Sequence, residues 1–150
     1  MQIKDSKSRE WTVSMSVAEY EKLCDVNDID LLDSGTLSLF LQDFRTKLRV
    51  AYLLCEEQIK EHGLDVEEFN KGFSGETLDV LLDAVEEAVG NFIPTPKLRE
   101  NYKATRGHLI ATRDTMADAA EAKLNDPVAA ENMQEEIRQA CEEYMNSLDL

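Results

Sequence analysis

The chain has 150 residues, long enough for one domain with an appended arm, and its 43% hydrophobic and 31% charged content supports a buried core. Sixteen Lys and Arg against 31 Asp and Glu give a net charge of -15, which repels phosphate backbones and anionic lipid and so argues against nucleic-acid and membrane partners. No apolar run approaches the roughly 20 residues of a membrane span, and residues 1–5 hold no signal-peptide core.

The first fifteen residues read as a hairpin. Trp11, Val13 and Met15 alternate with Thr12 and Ser14, a half-buried strand pattern; Ile3 belongs to a partner strand, with Asp5-Ser6-Lys7-Ser8 as the turn. A hairpin this small has to pack on helices. Ser16 with Glu19 three residues on is a capping box that opens a short helix over 17–24. The acidic stretch from Asp25 to Asp33 interrupts the periodicity, with Ile29, Leu31 and Leu32 dipping into the core.

One long helix is expected next, from Thr36 to His62, about 40 Å at 1.5 Å per residue. Leu37, Phe40, Leu41, Phe44, Leu48, Ala51, Cys55 and Ile59 form its apolar stripe, and Gly63 ends it. Asp65 with Glu68 caps a short helix, and Leu64 can meet Phe69 across that cap. Ser74 is expected to cap the following helix, whose face carries Leu78, Leu81, Leu82, Val85, Val89 and Phe92. Pro94-Thr95-Pro96 stops it.

Composition shifts past Pro96. Residues 97–113 hold five basic residues against one acidic, a net +4, whereas 114–150 hold two against ten, a net -8. Asp126-Pro127 is a cap and first-turn pair that opens a last helix. Met133, Ile137, Cys141, Tyr144 and Leu148 share one stripe of it and are the candidate partner-binding residues. The preceding basic segment offers a thin face, so the stripe must bury in the chain's own core, on a second copy, or on a client helix. The division expected is a helical domain over 1–94 with the N-terminal hairpin, and a helical hairpin or arm over 95–150. The fold class is mainly α.

No pattern points to catalysis, a cofactor or a metal. Neither register of the Asp25–Asp33 stretch places oxygen ligands, Gly and Glu where a calcium loop needs them. His62 and His108 are the only histidines, and no two cysteines lie at metal-ligand spacing. Cys24, Cys55 and Cys141 fit reduced thiols in a cytoplasm, with Cys55 and Cys141 as inert core cysteines on apolar stripes. The adjacent carboxylates Glu56-Glu57, Glu67-Glu68 and Glu86-Glu87 read as solvated faces, and no glycine-rich phosphate loop or nucleophile elbow occurs. The basic segment 97–113 reads as a docking element against acidic surface, its own or a neighbouring subunit's.

The order of short phrases across residues 9–100 carries a resemblance. Trp11-Thr12-Val13-Ser14-Met15-Ser16 leads into a helix, and Ile29-Asp30-Leu31-Leu32-Asp33 follows. A long amphipathic helix ends in Gln58 to Gly63; then come Leu64-Asp65-Val66-Glu67-Glu68-Phe69, Gly72-Phe73-Ser74-Gly75-Glu76 and a close on Asn91-Phe92-Ile93-Pro94. This resembles the tail assembly chaperones, small helical proteins encoded among the tail genes of long-tailed phages and prophages. The resemblance implies a non-enzymatic role in the host cytoplasm, binding tape-measure or tail-tube protein before polymerisation during virion morphogenesis. It also implies a longer form made by translational frameshifting. An acidic helical adaptor or inhibitor that binds another protein is the alternative, and either role accommodates a homo-oligomer.

Overall fold

The computed structural model describes residues 1–148, with the backbone alone for Ala129, Ala130 and Leu148. The described residues form a two-stranded antiparallel sheet, β1 (Gln2–Lys4) and β2 (Glu10–Thr12), and seven helices. These are α1 (Val17–Asn27), α2 (Ser34–Gln42), α3 (Phe44–Glu61), α4 (Val66–Lys71), α5 (Glu76–Phe92), α6 (Pro96–Leu124) and α7 (Pro127–Leu148). The chain is mainly α. It divides into two compact units, Met1–Ala104 and Thr105–Leu150.

The hairpin sits where the alternation places it. Ile3 stands opposite Trp11 and both are buried, while their neighbours point to water. Its free edge is closed by a side chain: the Gln58 amide accepts from Thr12 N at 2.7 Å and donates to Thr12 O at 2.8 Å. A short strand edge is thereby satisfied without a third strand. Trp11 is the hub of the first unit, fully buried, with the rings of His62 and Phe69 each 5.0 Å away and Phe73 at 6.4 Å.

The indole N–H donates to Asp5 Oδ2 at 3.1 Å, so the buried polar end of Trp11 has a partner. Asp5 is itself buried. Its carboxylate also accepts from Arg9 Nε at 2.6 Å and from the backbone N–H groups of Arg9 and Lys7. Burial opposes its ionisation, but these donors, Arg9 first, outweigh it and hold the carboxyl below its ordinary pKa. The α4–α5 connection closes on this cluster: Ser6 N donates to Gly72 O at 2.8 Å. A Cβ at Gly72 would stand 2.8 Å from Asp5 Oδ2 and Arg9 Nη2, so only glycine lets the two segments approach.

Several helix ends form as expected. The Ser16–Glu19 and Asp65–Glu68 capping boxes are both complete. Asp126 Oδ1 accepts from Val128 N at 3.0 Å ahead of α7. The break at Pro94–Pro96 separates α5 from α6, with Pro96 in the first helical turn.

Other expectations are corrected. The single helix over Thr36–His62 is two helices, broken at Asp43. That residue is extended (φ -97°, ψ 115°) and caps both neighbours: its N–H donates to Leu39 O, and its Oδ2 accepts from Thr46 N at 2.9 Å. The break turns Phe44 out to solvent and leaves Leu48 only half-buried. Ser74 does not cap α5; Gly75 occupies the cap, and Ser74 is tied instead to the Thr77 hydroxyl. Leu32 is exposed, because Asp30 pins its backbone N–H in a turn while Ile29 and Leu31 go inward. Glu86 is not on a solvated face: it is buried in α5, 2.6 Å from Lys47 Nζ on α3.

The first unit reaches ten residues past Pro94. Arg99 donates from Nε and Nη2 to Ile93 O at 3.1 and 2.9 Å, satisfying a carbonyl at the end of α5. Tyr102 is 3% exposed and donates its hydroxyl to Glu86 O at 2.7 Å. Its ring fills the space over Gly90, where a Cβ would lie 2.7 Å from Tyr102 Cε1. The opening turns of α6 therefore belong to the first unit's core.

Candidate functional site

The second unit is organised by its last helix. Asp126 and Pro127 start α7, and Arg138 braces it by pairing with Glu135 one turn before and Glu142 one turn after, at 2.5 and 2.6 Å. These exposed pairs support the helix only weakly, because water screens them. At 100° per residue, Met133, Ile137, Cys141 and Tyr144 fall along one face. Their exposures are 50% for Met133, 58% for Ile137 and 65% for Tyr144. The side chain of Leu148, the fifth residue expected on this stripe, lies outside the described residues.

Cys141 is exposed, which corrects its reading as a core cysteine. Cys55 is the buried one, and desolvation pushes its thiol up to about 12. Sequence reasoning also missed Met116, Leu124, Val128 and Met145, all more than 60% exposed. Met145 continues the Ile137 and Cys141 row at i+4 and was legible from that spacing, Val128 lies off the stripe, and Met116 and Leu124 belong to α6. Glu136 and Glu143, seven residues apart, flank the stripe on the side away from Arg138, and neither has an ion pair within 4 Å among the described residues.

A second surface lies in the first unit, where α1, α3 and α4 enclose an open groove of about 550 Å³. Val26, Leu48, Tyr52, Leu53 and Val66 give it an apolar lining, and Lys22, Arg49 and Lys60 stand against Glu56 on its walls. Three cations in one groove are notable on a chain of charge -15.

The remaining polar clusters are committed to the fold. In the Asp25–Asp33 stretch, Asp30 accepts from the Tyr20 hydroxyl and Leu32 N, and Asp33 caps α2 through Thr36 N. His62 ends α3 with its ring against Trp11. Among the described residues, no group of three or more His, Cys, Asp or Glu side chains is gathered as a metal site would need, and no helix is long and apolar enough to cross a membrane.

No protein-family model, curated protein or solved structure matches this chain.

Proposed function

We propose that this chain is a non-enzymatic tail assembly chaperone of a long-tailed phage or prophage, working in the host cytoplasm on tape-measure or tail-tube protein. The observation that carries this reading is the exposed apolar stripe of α7, with Ile137 and Tyr144 more than half in water on a helix rich in carboxylates. An aggregation-prone helical client needs a partner that covers its apolar face and keeps the pair soluble. An amphipathic helix supplies the first, read as anchors at i, i+4, i+8 and i+11, and the net charge of -15 the second. Met and Tyr suit a face that must adapt to a client, the thioether by flexibility and the phenol by its polar tip. The phrase order over residues 9–100 points the same way.

The test is co-expression of the full chain with the tape-measure and tail-tube proteins encoded beside it. Each client's soluble fraction should rise with the native chain. It should return to the client-alone level with Ile137→Ser/Tyr144→Ser, a variant that retains the native helical circular dichroism. No rise with either client would refute the reading.

A further inference from the structure

The stripe on α7 and the groove on the first unit are complementary in both shape class and charge. We infer that the groove between α1, α3 and α4 receives helix α7 of a second copy of this chain, each copy lending its helix to the other. This goes beyond the client reading and does not depend on it, since it needs two copies of this protein and nothing else; where both hold, dimer and client compete for the same stripe, and the client displaces the second copy.

Helix α7 is poorly matched to a second α7. From Pro127 to Leu148 it carries Glu131, Glu135, Glu136, Glu142 and Glu143 against Arg138 alone. Of these, Glu136 and Glu143 border the stripe, so two such helices laid antiparallel, stripe to stripe, would bring like charges together, which destabilises the pair. A partner surface must therefore be apolar in the middle and positive at the edge. The groove meets both conditions: Leu48, Tyr52 and Val66 line it, and Lys22, Arg49 and Lys60 stand around them.

The cations are available to a newcomer. Arg49 has no ion pair within 4 Å among the described residues. Lys22 and Lys60 share Glu56 and Glu57 at 3.3 to 3.8 Å, with the lysine side chains 48% and 62% exposed. Such loose exposed pairs contribute little and rearrange at small cost. On the other side, Glu136 and Glu143 flank the stripe two turns apart, about 10 Å along the axis, and likewise have no ion pair. Arg49 and Lys60 lie on one face of α3, about 16 Å apart along its axis. The two charged rows can thus run beside each other while Ile137, Cys141 and Tyr144 enter the apolar centre.

Stripe and groove are different surfaces, so a single insertion is a head-to-tail contact that would propagate into open chains. Reciprocal exchange closes the contact into a two-fold dimer and covers both stripes.

The native thiol on the stripe makes the test direct. A full-length chain carrying Val66→Cys and Cys141→Ala, mixed with the native chain under mild oxidation, can join its introduced thiol to Cys141 only across two copies. The expected result is a disulfide-linked pair whose joined peptides contain position 66 of one chain and Cys141 of the other, together with a dimer in sedimentation velocity. Glu136→Lys/Glu143→Lys should weaken that dimer about tenfold or more with the helical circular dichroism unchanged. A monomer at the highest soluble concentration would overturn the proposal. So would a link forming only within one chain when Cys141 is kept beside Val66→Cys, or a dimer joined through Cys141 on both sides. Loss of client solubilisation with the dimer intact would count against the chaperone reading and leave this one standing.

Discussion

Tyr102 offers the sharpest test of where the folded core of the first unit ends. Removing its side chain as Tyr102→Ala deletes a ring that is 97% buried and opens a void over Gly90 and Glu86. Loss of a buried aromatic of this kind costs about 3–5 kcal/mol. For a unit of about 100 residues, each kcal/mol lowers Tm by about 4–8 °C, so the fall should be about 12 °C or more. Tyr102→Phe keeps the ring and removes only the hydroxyl bond to Glu86 O. That carbonyl stands mid-helix, where the ladder of α5 supplies a second donor, so the cost should be about 0.5–1.5 kcal/mol. The chain's one tryptophan, Trp11, is fully buried in the first unit, and its fluorescence during urea unfolding reports on that unit alone. Circular dichroism follows all the helices in parallel. If Tyr102→Ala moved the Trp11 midpoint no further than Tyr102→Phe, the opening turns of α6 would not be part of the core.

Three further outcomes follow from local features. Asp43→Ala removes the side-chain cap of α3, an acceptor for Thr46 N and the Thr46 hydroxyl, and should lower the midpoint in the same urea assay; an unchanged midpoint would show that the break is held by packing alone. Asp5 has a carboxyl pKa below its unfolded value of about 3.9, so its stabilisation is present above about pH 4 and lost as pH falls through the lower folded value. The stability gap between native chain and Asp5→Asn, measured at pH 7 and pH 3, should therefore narrow at the acid end, and a constant gap would contradict it. In folded protein diluted to the monomer, iodoacetamide should alkylate exposed Cys141 and reach Cys55, whose thiol burial pushes up to about 12, only after unfolding; peptide mass mapping in native buffer and in urea distinguishes the two.

What the amino-acid sequence determined by itself was set within a turn or two of chain, although not every local feature was legible: the Asp43 cap and the Gly75 start of α5 were not. The Ser16–Glu19 and Asp65–Glu68 boxes, the Asp126-Pro127 start of α7, the stop at Pro94 and the inward alternation of Trp11 and Val13 depend on hydrogen bonds and sterics between near neighbours, so their spacing is enough to read them. The amphipathic stripe of α7 was legible for the same reason. Its exposure was not, because an apolar face has the same period whether a neighbour covers it or water does.

Tertiary structure decided the rest. Asp43 breaks a helix that apolar spacing would have continued, since the pattern of Phe40, Leu41, Phe44 and Leu48 fits one helix as well as two. Glu86 is buried only because Lys47 faces it from another helix, and Cys141 is exposed although its stripe resembles that of Cys55. The first unit extends to Ala104 because the Tyr102 ring packs over Gly90, residues on two different helices. The groove that collects Lys22, Arg49 and Lys60 likewise takes its residues from α1 and α3, with Val66 from α4. In each case burial is a property of two surfaces brought together, and a single segment of sequence describes only one of them.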